Sequence, residues 1–231
     1  MSEQKTVERK GLLLVVSGPS GAGKTTVCNE LLAMVEGLRP SVSCTTRRPR
    51  PGEVDGREYW FVDVPTFQEM VRRDEFAEWA VVYGHSYGTP RKPLGEMMAQ
   101  GVDVLLEIDV QGSMQIKRKF PDAVTVYLLP PSIEELRTRL VRRAGDAPDE
   151  ISRRLRQARE EIRSYREYDY IVRNEKLPET MKVMEAILRA ERSKTTRLNV
   201  AEIEERMTRE CAGDMALEVQ EPAGSTQKRG V

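Results

Sequence analysis

The stretch GPSGAGKT, Gly18 to Thr25, constrains this chain more than any other. It satisfies G-x-x-x-x-G-K-[ST] at every fixed position and follows an apolar run, Leu12 to Val16, that reads as a buried strand bounded by glycines. Thr25–Val35 then predicts a helix, with Val27, Leu31, Leu32 and Val35 on its apolar face. Strand, glycine-rich turn and helix in that order make a phosphate cradle. Glycines let the backbone close around phosphate oxygens with its N–H groups pointing inward, and the helix start adds the positive end of its dipole. Lys24 would reach the β- and γ-phosphates of a nucleoside triphosphate, and the Thr25 hydroxyl would ligate Mg2+. The predicted triphosphate contacts are Gly18, Pro19, Ser20, Gly21, Ala22, Gly23, Lys24, Thr25 and Thr26.

Further strands and helices alternate along the chain. VDVLLEID, AVTVYLL and YDYIVRN read as strands, VQGSMQIKRKF and PPSIEELRTRL as helices, the second opened by a capping box at Ser132 and Glu135. Leu177 to about Glu205 reads as one long helix. The fold class is therefore α/β, a P-loop NTPase-type parallel sheet covered by helices on both faces. Two stretches interrupt it. Residues 41–97 hold short strands and a helix capped by Thr66 with Glu69, and read as an inserted mixed α/β lobe. Residues 137–166 are rich in arginine on two helical segments and read as a lid. The core is left with 1–40, 98–136 and 167–210, and 211–231 reads as a disordered tail. At a strand's carboxyl end, Glu107 and Asp109 share one face and look into the crevice beside the phosphate loop. Either could face a metal, or cap the next helix.

Composition narrows what the site can serve. Lys+Arg and Asp+Glu are 37 each, so no global field favours nucleic acid or an anionic membrane surface. The five-residue apolar run is too short to span a bilayer. Cys28, Cys44 and Cys211 lack CxxC spacing and His85 is the one histidine, which argues against a disulfide framework or a zinc site and for a cytoplasmic protein. Basic function must then be local. TTRRPRPGEVDGREY, Thr45 to Tyr59, carries Arg47, Arg48, Arg50 and Arg57 with no helical periodicity. Arg47 and Arg50, three apart across Pro49, could clamp a second phosphate from two sides, with Tyr59 adding a hydroxyl. A solvated loop is the competing reading.

SGPSGAGKTT, SCTTRRPRPGEVDGREYWF, FAEWAVVYGHSYGTP, LLEIDVQG, RLVRRAGDAPDEISRRL and YDYIVRNE, in this order, resemble the guanylate kinases from about Gly11 to Leu198. The resemblance implies Mg2+-dependent transfer of the γ-phosphate of ATP to GMP, and to dGMP, with these small molecules as partners and no nucleic acid or membrane. It implies that Ser43, Arg47, Arg50, Tyr59 and Tyr87 grip the GMP phosphate. It further implies that Glu78, with Ser43 and Thr89, reads guanine, whose N1–H and N2–H2 one carboxylate can accept together. Adenine would leave that carboxylate unpaired. Asp109 is implied as a GMP contact and a water-mediated Mg2+ contact, and Asn174 as a contact near adenine. Arg143 and Arg154 of the lid would join Lys24 and Arg50 on the transferring group. Arg137, Arg142, Arg153, Arg156, Arg159 and Arg163 read as a solvated face paired with Glu160 and Glu161. His85 reads as an incidental loop residue, and Cys44, between GMP-site positions, is expected to react with thiol reagents unless GMP protects it. An interaction module on this fold, which would transfer nothing, is expected to lack Lys24, Thr25 and the lid arginines. A kinase for another monophosphate would lack Glu78.

Overall fold

The computed structural model describes residues 9–82, 84–142 and 148–218; at 142, 148–152, 154, 157 and 211–218 it describes the backbone alone. Strand β1 (Leu13–Ser17) leads into helix α1 (Lys24–Met34) and strand β2 (Leu38–Pro40). Next come β3 (Ser43–Thr45), β4 (Tyr59–Phe61), α2 (Val64–Arg72), the hairpin β5 (Phe76–Val82) and β6 (His85–Pro90), and α3 (Arg91–Ala99). There follow β7 (Asp103–Glu107), α4 (Val110–Lys119), β8 (Val124–Leu129), α5 (Ile133–Arg142) and α6 (Pro148–Ile162). The chain ends with β9 (Tyr170–Arg173), α7 (Leu177–Arg192) and α8 (Val200–Glu218).

Five strands form a sheet in the order β2-β7-β1-β8-β9, every pairing parallel. All five residues of β1 are buried because it lies at the centre with helices on both faces. Its pleat divides the core. Leu12, Leu14 and Val16 pack with Val27, Leu31, Met184 and Leu188 of α1 and α7, while Leu13 and Val15 pack with Leu94 of α3 and Ile116 of α4. The apolar run therefore has no polar alternation.

A second sheet, β4-β3-β6-β5, stands apart from the first. Its β3–β4 pairing is parallel and its β3–β6 and β5–β6 pairings are antiparallel. Phe67 of α2 stacks on Phe76 of β5 at 4.6 Å and both pack with Cys44, giving this sheet a small core of its own. The β5–α4 packing and the strand β3, which follows closely on β2, tie it to the parallel sheet.

Four local expectations are revised. Helix α2 is capped by Asp63, whose carboxylate accepts from the Thr66 N–H at 2.8 Å. Thr66 is inside the helix because the β4 ladder runs on to Val62, bonded to the Thr45 carbonyl, so the turn must follow at once. The long helix from Leu177 breaks after Arg192. Arg197, nearly buried, donates to the Asp122 carbonyl at 2.7 Å and meets Glu191, while Leu198 pairs with Arg9, and these contacts hold the chain off the helix axis. Regular structure also passes Glu210, since α8 runs to Glu218. Ala212, Met215, Ala216 and Leu217 are good helix formers that offset Gly213. Residues 219–231 lie outside the described residues. At α5 the Ser132 hydroxyl accepts from the Glu135 N–H at 3.0 Å, half of the predicted box, while the Glu135 carboxylate turns to Arg139.

Candidate active site

The phosphate loop is shaped by backbone conformations that only glycine adopts freely. Gly23, at φ 94°, ends the loop as the N-cap of α1 without a side-chain cap, which leaves the helix's first N–H groups facing the cleft. A Cβ there would stand 2.5 Å from the Asn174 Nδ2. That amide donates to the Ala22 carbonyl at 2.8 Å and its oxygen accepts from Thr180 at 3.0 Å. Asn174 is thus buried under the loop and braces it, with both ends of its amide engaged. The Lys24 ammonium donates to the carbonyls of Gly18 (2.7 Å) and Pro19 (3.1 Å), and burial holds its pKa below the ordinary lysine value. The Thr25 hydroxyl donates to Glu107 at 2.6 Å. Asp109 instead caps α4, accepting from the Gly112 N–H at 2.8 Å, and burial raises its pKa. Of the two strand-end carboxylates, Glu107 is the one that meets Thr25.

Across from the loop lies the second sheet. A cleft of about 230 Å³ runs between Gly18–Thr25 on one side and Ser43, Tyr59, Glu78 and Tyr87 on the other, over a floor of Glu107, Ile108 and Asp109. Glu78 is 3% exposed. The Thr89 hydroxyl donates to it at 2.6 Å and the Ser43 hydroxyl lies 3.2 Å from that of Thr89, so the three predicted base-reading residues form one chain. Desolvation raises the Glu78 pKa to about 7. Tyr59 and Tyr87 meet edge-on at 5.9 Å. Arg47 lies over the Tyr59 ring at 5.4 Å and forms a bidentate pair with Glu53, both bonds 2.9 Å. The Arg50 N–H also donates to Glu53, at 2.7 Å, while the Arg50 side chain is exposed. Glu53 therefore orients the arginine loop. Its place three residues after Arg50 was the available signal, and sequence reading passed over it.

The profile of the guanylate kinase family matches residues 10–191. The guanylate kinase of Symbiobacterium thermophilum is 48% identical over 195 residues, covering 84% of this chain and 92% of that protein. That of Thermus thermophilus is 49% identical over 211 residues, covering 91% and 93%. The chain belongs to the guanylate kinase family. A crystal structure of guanylate kinase from Anaplasma phagocytophilum superposes with a TM-score of 0.70 at 39% identity, covering 84% of this chain and 93% of that one. The chain is thus a nucleoside monophosphate kinase with the architecture of its family.

Glu161 of α6 lines the cleft, and its charge reaches Lys24. Arg143 lies outside the described residues, and at Arg154 the backbone alone is described, within α6. Thr26, in the first turn of α1, is exposed, as is His85 at the start of β6. Among the described residues no helix is long and apolar enough to cross a membrane.

Burial argues against the expected reactivity of Cys44. Its thiol is 3% exposed, packs against Phe67 and Phe76, and has its pKa pushed up to about 11 by burial. Because the thiolate is the nucleophile, iodoacetamide at neutral pH should leave Cys44 unmodified in the native kinase with or without GMP. Peptide mass spectrometry reads this directly, and rapid labelling of Cys44 before unfolding would sink it.

Proposed function

We propose that the protein catalyses Mg2+-dependent transfer of the γ-phosphate of ATP to GMP, and to dGMP, in the cytoplasm. The observation that carries this reading is the single cleft with a phosphate loop on one wall and the Ser43–Thr89–Glu78 chain on the other. ATP would lie with its phosphates on Gly18–Thr26, the Lys24 ammonium leaving the Gly18 and Pro19 carbonyls for the β- and γ-oxygens. Asn174 would support the adenine side indirectly, through the loop it braces. GMP would enter against the second sheet. Arg47, already aimed by Glu53, would hold its phosphate with Arg50, Tyr59 and Tyr87, while Glu78 accepts guanine N1–H and N2–H2, with Asp109 beneath.

The oxygen donors of Thr25, Glu107 and Asp109 suit a hard cation that keeps waters and phosphate oxygens as its other ligands. When bound with ATP, Mg2+ would be held by Thr25 and, through water, by the carboxylates, and would neutralise charge on the phosphates. The protein's part is to align acceptor and donor, exclude water and supply positive charge. No covalent intermediate is needed. Arg143 and Arg154 of the lid are assigned to the equatorial oxygens of the transferring group, as in the family.

The test is ADP release from Mg-ATP with GMP, dGMP, AMP, CMP and UMP as parallel acceptors. Turnover with GMP and dGMP alone is the expected result. Turnover with AMP at a similar rate, or with none of the five, would overturn the proposal.

A further inference from the structure

Glu78 comes from β5 and owes its position to a feature of another element. Its Oε1 is occupied by the Thr89 hydroxyl, and its Oε2 lies against the first turn of α4 at Gly112. A Cβ built at position 112 would stand 2.5 Å from that Oε2 and 3.2 Å from Cδ of the same carboxylate. At 2.5 Å the carboxylate oxygen would have to move, and at 3.2 Å its Cδ would have to give by a few tenths of an ångström. The carboxylate can hold its present position because residue 112 has no side chain.

The one other close atom is the Asp109 Oδ1, which would stand 3.3 Å from the same Cβ and would need to give only slightly. Gly112 is helical and buried, one turn in from the Asp109 cap, and its φ lies outside the left-handed region. Its N–H bond to Asp109 could be made by any residue except proline. Glycine is the poorest helix former after proline, so a glycine within a helix calls for a packing or functional reason. Gly95 in α3 offers the contrast, since a Cβ there would meet open space.

We infer that Gly112 is a specificity-positioning residue: its missing side chain lets the Glu78 carboxylate seat between Thr89 and the α4 backbone, at the depth that pairs with guanine. The inference rests on the reading of Glu78 as the base reader given above. Any side chain at 112 pushes the carboxylate towards the cleft mouth, out of line with N1–H and N2–H2 and back into water. Phosphate-loop contacts lie on a different wall, and Asp109, whose Oδ1 would stand 3.3 Å from the new Cβ, needs to give only slightly.

The experiment compares Gly112→Ala with Gly95→Ala and Glu78→Gln. Gly112→Ala should raise the KM for GMP by about ten- to a hundredfold, the scale on which sub-ångström to ångström misplacement acts. The KM for ATP should stay at its parental value, and the ratio of kcat/KM for GMP over AMP should fall. The inflection near pH 7 in the KM for GMP should move towards lower pH as the displaced carboxylate regains water. A merely structural role would move neither the ATP–GMP split nor the pH profile. Gly95→Ala should leave all of these unchanged. If Gly112→Ala keeps the parental KM for GMP and pH profile while Glu78→Gln loses discrimination, Gly112 has no positioning role. If both variants keep full discrimination, the reading of Glu78 itself fails. Should Gly112→Ala not fold, the double variant Gly112→Ala/Glu78→Ala, which removes the clashing carboxylate, must recover folding; its failure to do so overturns the inference.

Discussion

Lys24→Ala should lower kcat by about 10²–10³-fold or more, the loss seen when one preorganised donor to developing charge is removed. The ammonium rests on the Gly18 and Pro19 carbonyls, where burial favours the neutral amine. Triphosphate binding would bring several negative oxygens to that position and favour the charged form of the amine. The interaction therefore grows along the reaction path, which is what acceleration requires. Part of the loss would appear as weaker ATP binding, because the phosphates meet the same group in the ground state. The fold should survive, since the loop is held independently by Asn174 on the Ala22 carbonyl. The measurement is kcat at saturating GMP and ATP, with thermal unfolding as a check on folding. Near-normal turnover in a folded variant would remove Lys24 from the catalytic set.

What could be read from the chain, and what could not, divides by the range of the interaction. The β1 run and the loop after it were legible because strand, glycines and helix are neighbours in sequence and their meaning depends on local geometry. Both faces of β1 are covered, and that shows as five apolar residues without alternation. The arginine loop could be read as a candidate phosphate clamp for the same reason. The couplings that set the site were not. Thr25 meets Glu107 across 82 residues, so spacing could offer Glu107 and Asp109 as a pair without choosing between them. Asn174 reaches Ala22 across 152 residues, and no pattern at either end announces a brace. The break after α7 depends on Arg197 finding Asp122 and Glu191, and the intervening residues have no helix breaker. Cys44 failed for a related reason. Flanking Ser43 and Thr45 say nothing about Phe67 and Phe76, which close over the thiol from α2 and β5.

On the proposed reading, the same long-range packing makes Glu78 a pH-dependent reader of its ligand. Glu78→Gln should raise the KM for GMP by about ten- to 150-fold, the worth of one hydrogen-bonded charge at about 1.5–3 kcal/mol, and should weaken the preference for GMP over AMP. The amide presents an oxygen to one guanine hydrogen and an NH2 group to the other, so it fails as a partner without creating a cavity. The pH dependence has a definite sign. The Glu78 pKa is raised from 4.5 to about 7 by burial, so the ligand-free carboxyl is largely protonated below pH 7. Its contribution to the ligand-free protein's stability is then fully present below about pH 4.5 and lost as pH rises through 7. Guanine selects the ionised form, so the KM for GMP should rise about tenfold for each pH unit below 7, and binding near pH 7 should release a proton. Calorimetry in buffers of different ionisation enthalpy measures that release, and Glu78→Gln should abolish both it and the inflection. A wild-type KM that is flat from pH 5.5 to 8, with no proton released, would mean that the carboxylate does not meet the base. Burial in the Ser43–Thr89–Glu78 chain would then serve the fold of the second sheet, and guanine would have to be read elsewhere.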